Sequence, residues 1–394
     1  MSSRAGGRWL AIIHAALLGA VATAGRPMLS YRAIAVGANE IEIGLMATSF
    51  AVLPAVFAFG IGRRIDRNGP GRYLLLGNLA VLVGVLVAMF GSYLFTLYLG
   101  AAVIGLGLQL AVLAQQANAA VVDEADRDRA FGHMTASFAV GLTIGPPLAA
   151  LGVRVVGPHV SWSEATIGLG VCLLLTLVAL APAILVLRHP TAARPAATEG
   201  RATLMALGIL RTGGMWQALV TSATVLAVVD LLSVFLPLWA HDRAIPVETV
   251  GLLLGLRGLC TLACRIGFDR MLRLVGRRAL LLGCLVAAAG GLALLPFVGL
   301  PGAVPIMMVL GAGLGVAQPL TMSWITIMVA AGTRAAALGI RQSANQIAQA
   351  ALPATVAAIA EASGASGVFL GAAILLSSSA MAVPRAPMGD AGEP

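Results

Sequence analysis

An all-α integral membrane fold is predicted here, with twelve transmembrane helices in two six-helix bundles related by a parallel pseudo-two-fold repeat. Three observations carry that prediction: sparse charge, regularly spaced apolar runs, and self-similarity at half the chain length. Of 394 residues, 59% are apolar and only 10% charged, with a mean hydropathy of +0.95. So little charge cannot cover a water-soluble surface, and most of this surface must face hydrocarbon.

A helix needs about 20 mostly apolar residues to cross a bilayer. Divided at its charged and Gly/Pro-rich clusters, the chain offers twelve such runs. The first six are Trp9–Leu29, Ile43–Gly62, Tyr73–Gly91, Leu94–Val122, Phe131–Val156 and Thr166–Leu187. The second six are Met215–Ala240, Val250–Cys264, Ala279–Val298, Ala303–Ala330, Ala335–Ala360 and Val368–Val383. The expected domains are residues 1–187, a cytoplasmic linker 188–214 with an apolar 204–210 stretch suited to the membrane surface, and 215–394.

The net charge is +9, and every basic residue is arginine because lysine is absent. The arginines cluster between apolar runs, which points to membrane topology rather than nucleic acid. With a cytoplasmic N-terminus, 19 arginines fall on the cytoplasmic side. Only Arg32, Arg154 and Arg243 fall opposite, and Arg26, Arg257 and Arg341 lie inside spans. This asymmetry predicts a multi-pass inner-membrane protein with both termini cytoplasmic. Arg4, Arg8 and the Ala22-Thr23-Ala24 triplet imitate a cleavable signal. The repeat argues against cleavage, because the first span has a partner later in the chain.

That repeat runs at an offset of 207 for Trp9/Trp216, Gly44/Gly251 and Gly69/Gly276. The offset becomes 206 for Arg72/Arg278, Gly77/Gly283, Gly84/Gly290, Gly105/Gly311 and Gly107/Gly313, and returns to 207 at Gly132/Gly339 and Pro146/Pro353. Six spans per half start both halves on the same side of the membrane, so the repeat is parallel.

After the second span comes Gly62-Arg63-Arg64-Ile65-Asp66-Arg67-Asn68-Gly69, and the fifth span contains Gly141-x-x-x-Gly145-Pro146. The first resembles the G-x-x-x-D-R-x-G loop of the major facilitator superfamily, at the place where that family carries it. The second is similar to the G-x-x-x-G-P motif of the family's antiporters. The resemblance implies a gating role for Gly62, Asp66, Arg67 and Gly69 at the cytoplasmic interface between halves. It also implies that spans three, six, nine and twelve, which carry no charge, are peripheral. Two departures stand out. Arg273 occupies the repeat position of Asp66, and Ala149 and Ala150 stand where glycines usually follow the family's G-P. Gly141 and Gly145 also read as close-packing residues, independently of any exchange mechanism.

Charges inside spans are costly and therefore mark candidate sites. They are Arg26, Asp230, Arg257 and Arg341. At about 1.5 Å per residue, Asp230 lies about 15 Å from His241 and Arg257 about 12 Å from Thr249. That places opposite charges of adjacent spans at similar depth and suggests an Asp230–Arg257 pair. Such a pair serves either mutual neutralisation or proton coupling. Arg341, Asn345 and Gln349 share one face of span eleven, with Gln342 and Gln346 beside them. That face reads as substrate contact or as polar glue between helices. Gln109 and Gln318 approach the midplane, where substrates bind in this fold. His14 is a titratable group that is equally well explained as a hydrogen-bonded core residue.

The expected function is secondary active transport of a small organic solute, as proton-coupled efflux. Three buried arginines against one aspartate also fit proton-coupled uptake of a small organic anion. A non-transporting sensor or scaffold is the rival from another class. Neither a HExxH motif nor clustered carboxylates suggest an enzyme, and an ATP-binding loop needs the lysine this chain lacks. Cys172, Cys260, Cys264 and Cys284 sit in apolar runs without ligand spacing, so no disulfide, metal or cofactor is expected. Partners are expected to be the solute, protons and the bilayer, with no nucleic acid, and the chain is expected to be monomeric.

Overall fold

Backbone amides inside hydrocarbon must be satisfied internally, which leaves a spanning chain the helix or the closed barrel. A computed structural model describes residues 2–120, 124–188, 208–329, 333–359 and 364–383. Within its helices, the side chains of residues 2–8, 58–60, 62, 63, 66, 67, 119, 120, 124–132, 135, 269, 335 and 359 lie outside the description. The described residues form helices joined by short turns, with no strand among them.

The first bundle contains α1 (Ser2–Ala35), α2 (Glu40–Asn68), α3 (Pro70–Phe90), α4 (Leu94–Ala120), α5 (Glu124–Val156) and α6 (Glu164–Leu187). The second contains α7 (Met215–His241), α8 (Val247–Ile266), α9 (Phe268–Val275), α10 (Arg277–Leu294), α11 (Leu300–Ile327), α12 (Arg334–Ile359) and α13 (Gly364–Ala382). All but α9 are long helices. Among the described residues, eleven are also apolar enough to cross a membrane by composition. The exception is α12, which is 26 residues long but carries Arg341, Gln342, Asn345, Gln346 and Gln349 within three turns.

Several boundaries differ from the hydropathy reading. Charged residues end an apolar run without ending a helix, because helix propensity does not require apolar side chains. Thus α2 continues through Arg64 to Asn68, and α5 begins at Glu124 within the charged segment expected to be a loop. Most of the expected linker, residues 189–207, lies outside the described residues. Gly214, at φ +84°, opens α7.

Local chemistry explains several helix ends. Asn39 and Glu42 form a reciprocal capping box at the start of α2, with hydrogen bonds of 2.9 and 2.8 Å. Arg32 donates to the Gly91 carbonyl beyond α3 at 3.0 Å, and Arg243 donates to the Pro296 carbonyl beyond α10 at 2.6 Å. Arg32 and Arg243 therefore sit on the carbonyls that follow the third long helix of each bundle.

The repeat reappears in the packing. Gly69 (φ +82°) and Gly276 (φ +81°) make the same left-handed turn into α3 and α10, a conformation that favours glycine. Gly105 lies against the Phe50 carbonyl and Gly311 against the Arg257 carbonyl, and neither site has room for a Cβ. Phe50 and Arg257 are themselves 207 apart. The bundles meet mainly where α2 packs on α12 and α5 packs on α8, with α1 crossing α7. Gly44 contacts Pro353, Ala354 and Ala357, while Gly251 contacts Pro146 and Ala150. These are two copies of one contact, and they close the seam at the end where α2 and α8 begin. Helices α3, α6, α10 and α13 pack within their own bundles.

Overpacking a tight helix crossing typically costs about 1–3 kcal/mol. Gly105→Leu and Gly311→Leu should each lower the melting temperature of the purified protein. Gly290→Leu should not, because nothing lies within 4 Å of a Cβ there. Intrinsic-fluorescence thermal melts in detergent test the contrast.

Candidate functional site

Asp230 sits in the middle of α7, a helix buried along nearly its whole length. An isolated carboxylate there would be prohibitively unstable, so its partners come from two other helices. Arg26 of α1 approaches Asp230 Oδ2 with Nη2 at 3.4 Å, and Gln349 of α12 donates its Nε2 hydrogen to the same oxygen. Arg26 is held in turn by the Ala22 carbonyl at 3.4 Å and by the ring of Phe50, whose centroid lies 4.3 Å from its Cζ. Since α1 belongs to the first bundle and α7 and α12 to the second, the ion pair spans the seam.

This corrects the expected Asp230–Arg257 pair. Depth along adjacent spans does not determine rotation about their axes, and consecutive helices need not pack closely. Here α7 and α8 touch only slightly, while α8 lies against α5 and α11. Among the described residues, no carboxylate comes within ion-pair distance of Arg257.

The polar face of α12 is assembled as its spacing suggested, and each residue has a different partner. Arg341 donates to Gln318 of α11 at 2.7 Å. Asn345 accepts from Ser222 of α7 at 3.1 Å. Gln346 donates across the seam to Gln109 of α4 at 2.6 Å. Donors nevertheless remain in excess. Among the described residues, the buried Nε atoms of Arg257 and Arg341 and the Nε2 atoms of Gln109 and Gln318 have no acceptor. Buried donors are normally satisfied, so an excess here suits a ligand bearing carbonyl, hydroxyl or anionic oxygens.

The motif residues fall into two groups. Gly141 and Gly145 seat α5 on α1, against Ala16, Ala20 and Thr23, so their geometry is that of close packing. The Pro146 carbonyl instead faces Gly251 across the seam. Gly62, Asp66 and Arg67 lie on the last turns of α2 and Gly69 follows them. The side chains of Asp66 and Arg67, and with them the expected gate, fall outside the described residues.

Phe50 and Ser222 were not singled out from sequence, and nothing in a one-dimensional pattern distinguishes Phe50 from other apolar residues. His14 is fully buried inside the first bundle, where its Nδ1 pairs with Gln115 Nε2 at 2.9 Å. Nearby, Asn78 donates to the Thr176 carbonyl at 3.1 Å. Asn78 was legible as an amide in an otherwise apolar span.

Removing one partner of a buried ion pair typically costs about 3–5 kcal/mol, because the other charge is left uncompensated. Asp230→Leu alone should therefore destabilise the protein more than the double change Arg26→Leu/Asp230→Leu. Additive losses in a thermal double-mutant cycle would show that the two side chains do not interact.

The sequence profile of the Major Facilitator Superfamily matches residues 10–325, with an overlapping match over 218–389. The class H tetracycline resistance protein of Pasteurella multocida is 29% identical over 134 residues, covering 34% of this chain and 33% of that protein. The class B tetracycline resistance protein of Escherichia coli is 29% identical over 118 residues, covering 30% of this chain and 29% of that protein. The chain thus matches about a third of the length of these curated relatives. The crystal structure of the nucleoside transporter NupG aligns with a TM-score of 0.77 at 13% identity, over 98% of this chain and 99% of that one. A bacterial homolog of the human lysosomal transporter Spinster, solved in an inward-facing and unoccupied conformation, aligns with a TM-score of 0.73 at 13% identity, over 97% and 96%. At such identity these structures speak for the fold alone. The profile match extends across most of the chain, and the chain belongs to the major facilitator superfamily.

Proposed function

We propose that this chain is a secondary active transporter of the inner membrane that exports a small organic solute in exchange for protons by alternating access. The observation that carries this reading is the Asp230 carboxylate, held by Arg26 of one bundle and Gln349 of the other. A proton on Asp230 removes the negative charge that attracts Arg26, so protonation weakens a bond across the seam. The bundles 1–187 and 215–394 would then rock about the seam, joined by the 188–214 linker. Asp66, in a motif similar to the family's gating loop, would bias the opposite end.

Orientation follows from the arginine asymmetry, with both termini cytoplasmic. The Gly44–Pro353 and Gly251–Pro146 contacts then lie toward the outside. Export is supported by the G-x-x-x-G-P stretch in α5 and by the resistance proteins among the partial relatives. A second reading, uptake of a small organic anion with protons, is favoured by the surplus of buried donors, the Nε of Arg257 among them.

The first experiment is a thermal-shift screen of metabolites and drugs against the purified protein, with tetracycline included. A ligand that binds the folded state alone raises its melting temperature, by about 2.7 kcal/mol of stabilisation at one hundred times Kd. Solutes that bind are then assayed in proteoliposomes under an imposed pH gradient. Solute moving against the proton flux supports exchange, solute moving with it supports uptake, and no flux of any bound solute supports a sensor or scaffold. Asp230→Asn should abolish gradient-driven accumulation while leaving counterflow. Gradient-driven accumulation unchanged in that variant would falsify the coupling role.

A further inference from the structure

The two halves differ in the stretch before the left-handed turn into their third long helices. In the first half α2 runs unbroken to Asn68 before the turn at Gly69. In the second, the equivalent stretch breaks at Gly267 into α8 and the eight-residue α9, before the matching turn at Gly276. Residues 265–278 contain Arg265, Arg270, Arg273, Arg277 and Arg278 against the single acid Asp269. Arg273 stands where the first half has Asp66.

Helix α9 is strongly amphipathic. Phe268, Met271 and Leu272 pack against the bundle core, while Arg270 and Arg273 are exposed. Apolar groups at the same elbow remain uncovered by protein: Ile266 is 83% exposed, Leu274 76% and Val275 52%. Among the described residues, the buried Nε of Arg265 has no hydrogen-bond acceptor. Exposed aliphatic side chains beside exposed arginines suit neither bulk water nor hydrocarbon alone. They suit the boundary between acyl chains and headgroups.

We propose that the α8–α9 elbow is a binding site for an anionic phospholipid. Ile266, Leu274 and Val275 rest on its acyl chains, while Arg265, Arg270 and Arg273 hold its phosphate. A phosphodiester offers the oxygen acceptors that guanidinium groups engage in pairs, and a headgroup with net negative charge complements a segment carrying five arginines and one acid. A zwitterionic headgroup brings its own cation into the same cluster. The site rests on α9 lying at a membrane surface and does not depend on what the protein transports or in which direction.

The test uses the full-length purified protein in detergent, titrated with phosphatidylglycerol or phosphatidylcholine. Thermal stability is measured alongside the number of lipids retained in native mass spectrometry. Phosphatidylglycerol should raise the melting temperature by several degrees more than phosphatidylcholine and remain bound in the spectrum. Arg270→Gln/Arg273→Gln should lose most of that difference. Arg270→Lys/Arg273→Lys should keep much of it, and Arg154→Gln, at the other end of the molecule, should keep all of it. Equal shifts with the two lipids overturn the proposal, as does a glutamine variant that retains the full preference. If the glutamine variant does not fold, Leu274→Asp replaces it. That substitution puts a like charge beside the phosphate and should reduce phosphatidylglycerol retention; undiminished retention counts against the site.

Discussion

A carboxylate within a hydrocarbon-embedded bundle is tolerated only when other groups carry its solvation, and Asp230 draws those groups from both halves of the molecule. Arg26 supplies charge from α1 and Gln349 supplies a neutral donor from α12, both on the same oxygen. The stability of that carboxylate is consequently tied to how the bundles are placed against each other. A core of leucine and alanine would hold the bundles together without tying their contact to a charged group.

The surrounding scaffold is close to symmetric. Gly44 on Pro353 and Gly251 on Pro146 are one contact built twice, as are Gly105 on Phe50 and Gly311 on Arg257. Small residues at these crossings let backbones approach closely, where association relies on packing rather than on exclusion of water. The polar groups break that symmetry. Phe50 supports the Arg26 guanidinium through its ring face, whereas its repeat partner Arg257 presents a guanidinium itself. Arg341, Asn345 and Gln349 have Met134, Phe138 and Leu142 at the corresponding positions of the first half. Most of the polar groups thus fall in the second half, and Arg26 and Gln109 meet them from the first.

Helix α12 shows how this asymmetry is accommodated. It is less apolar than the other long helices, and it packs against α2, α7 and α11. Its polar face is turned toward Gln109, Ser222, Asp230 and Gln318. A helix enclosed by other helices can carry amides and a guanidinium that one facing lipid cannot.

The number of long helices and the parallel repeat were legible in one dimension. Apolar run length and fixed-offset identity are properties of the chain itself, imposed by bilayer thickness and duplication. The polar face of α12 was legible for the same reason, since residues four apart on a helix must share a side. The partner of Asp230 was not. Helical rise sets how deep a residue lies, but rotation about the axis and the choice of neighbouring helix depend on packing across the whole assembly. Arg257 had the right depth and Arg26 has the right direction. Only the tertiary structure could bring α1 to α7, across 204 residues of chain.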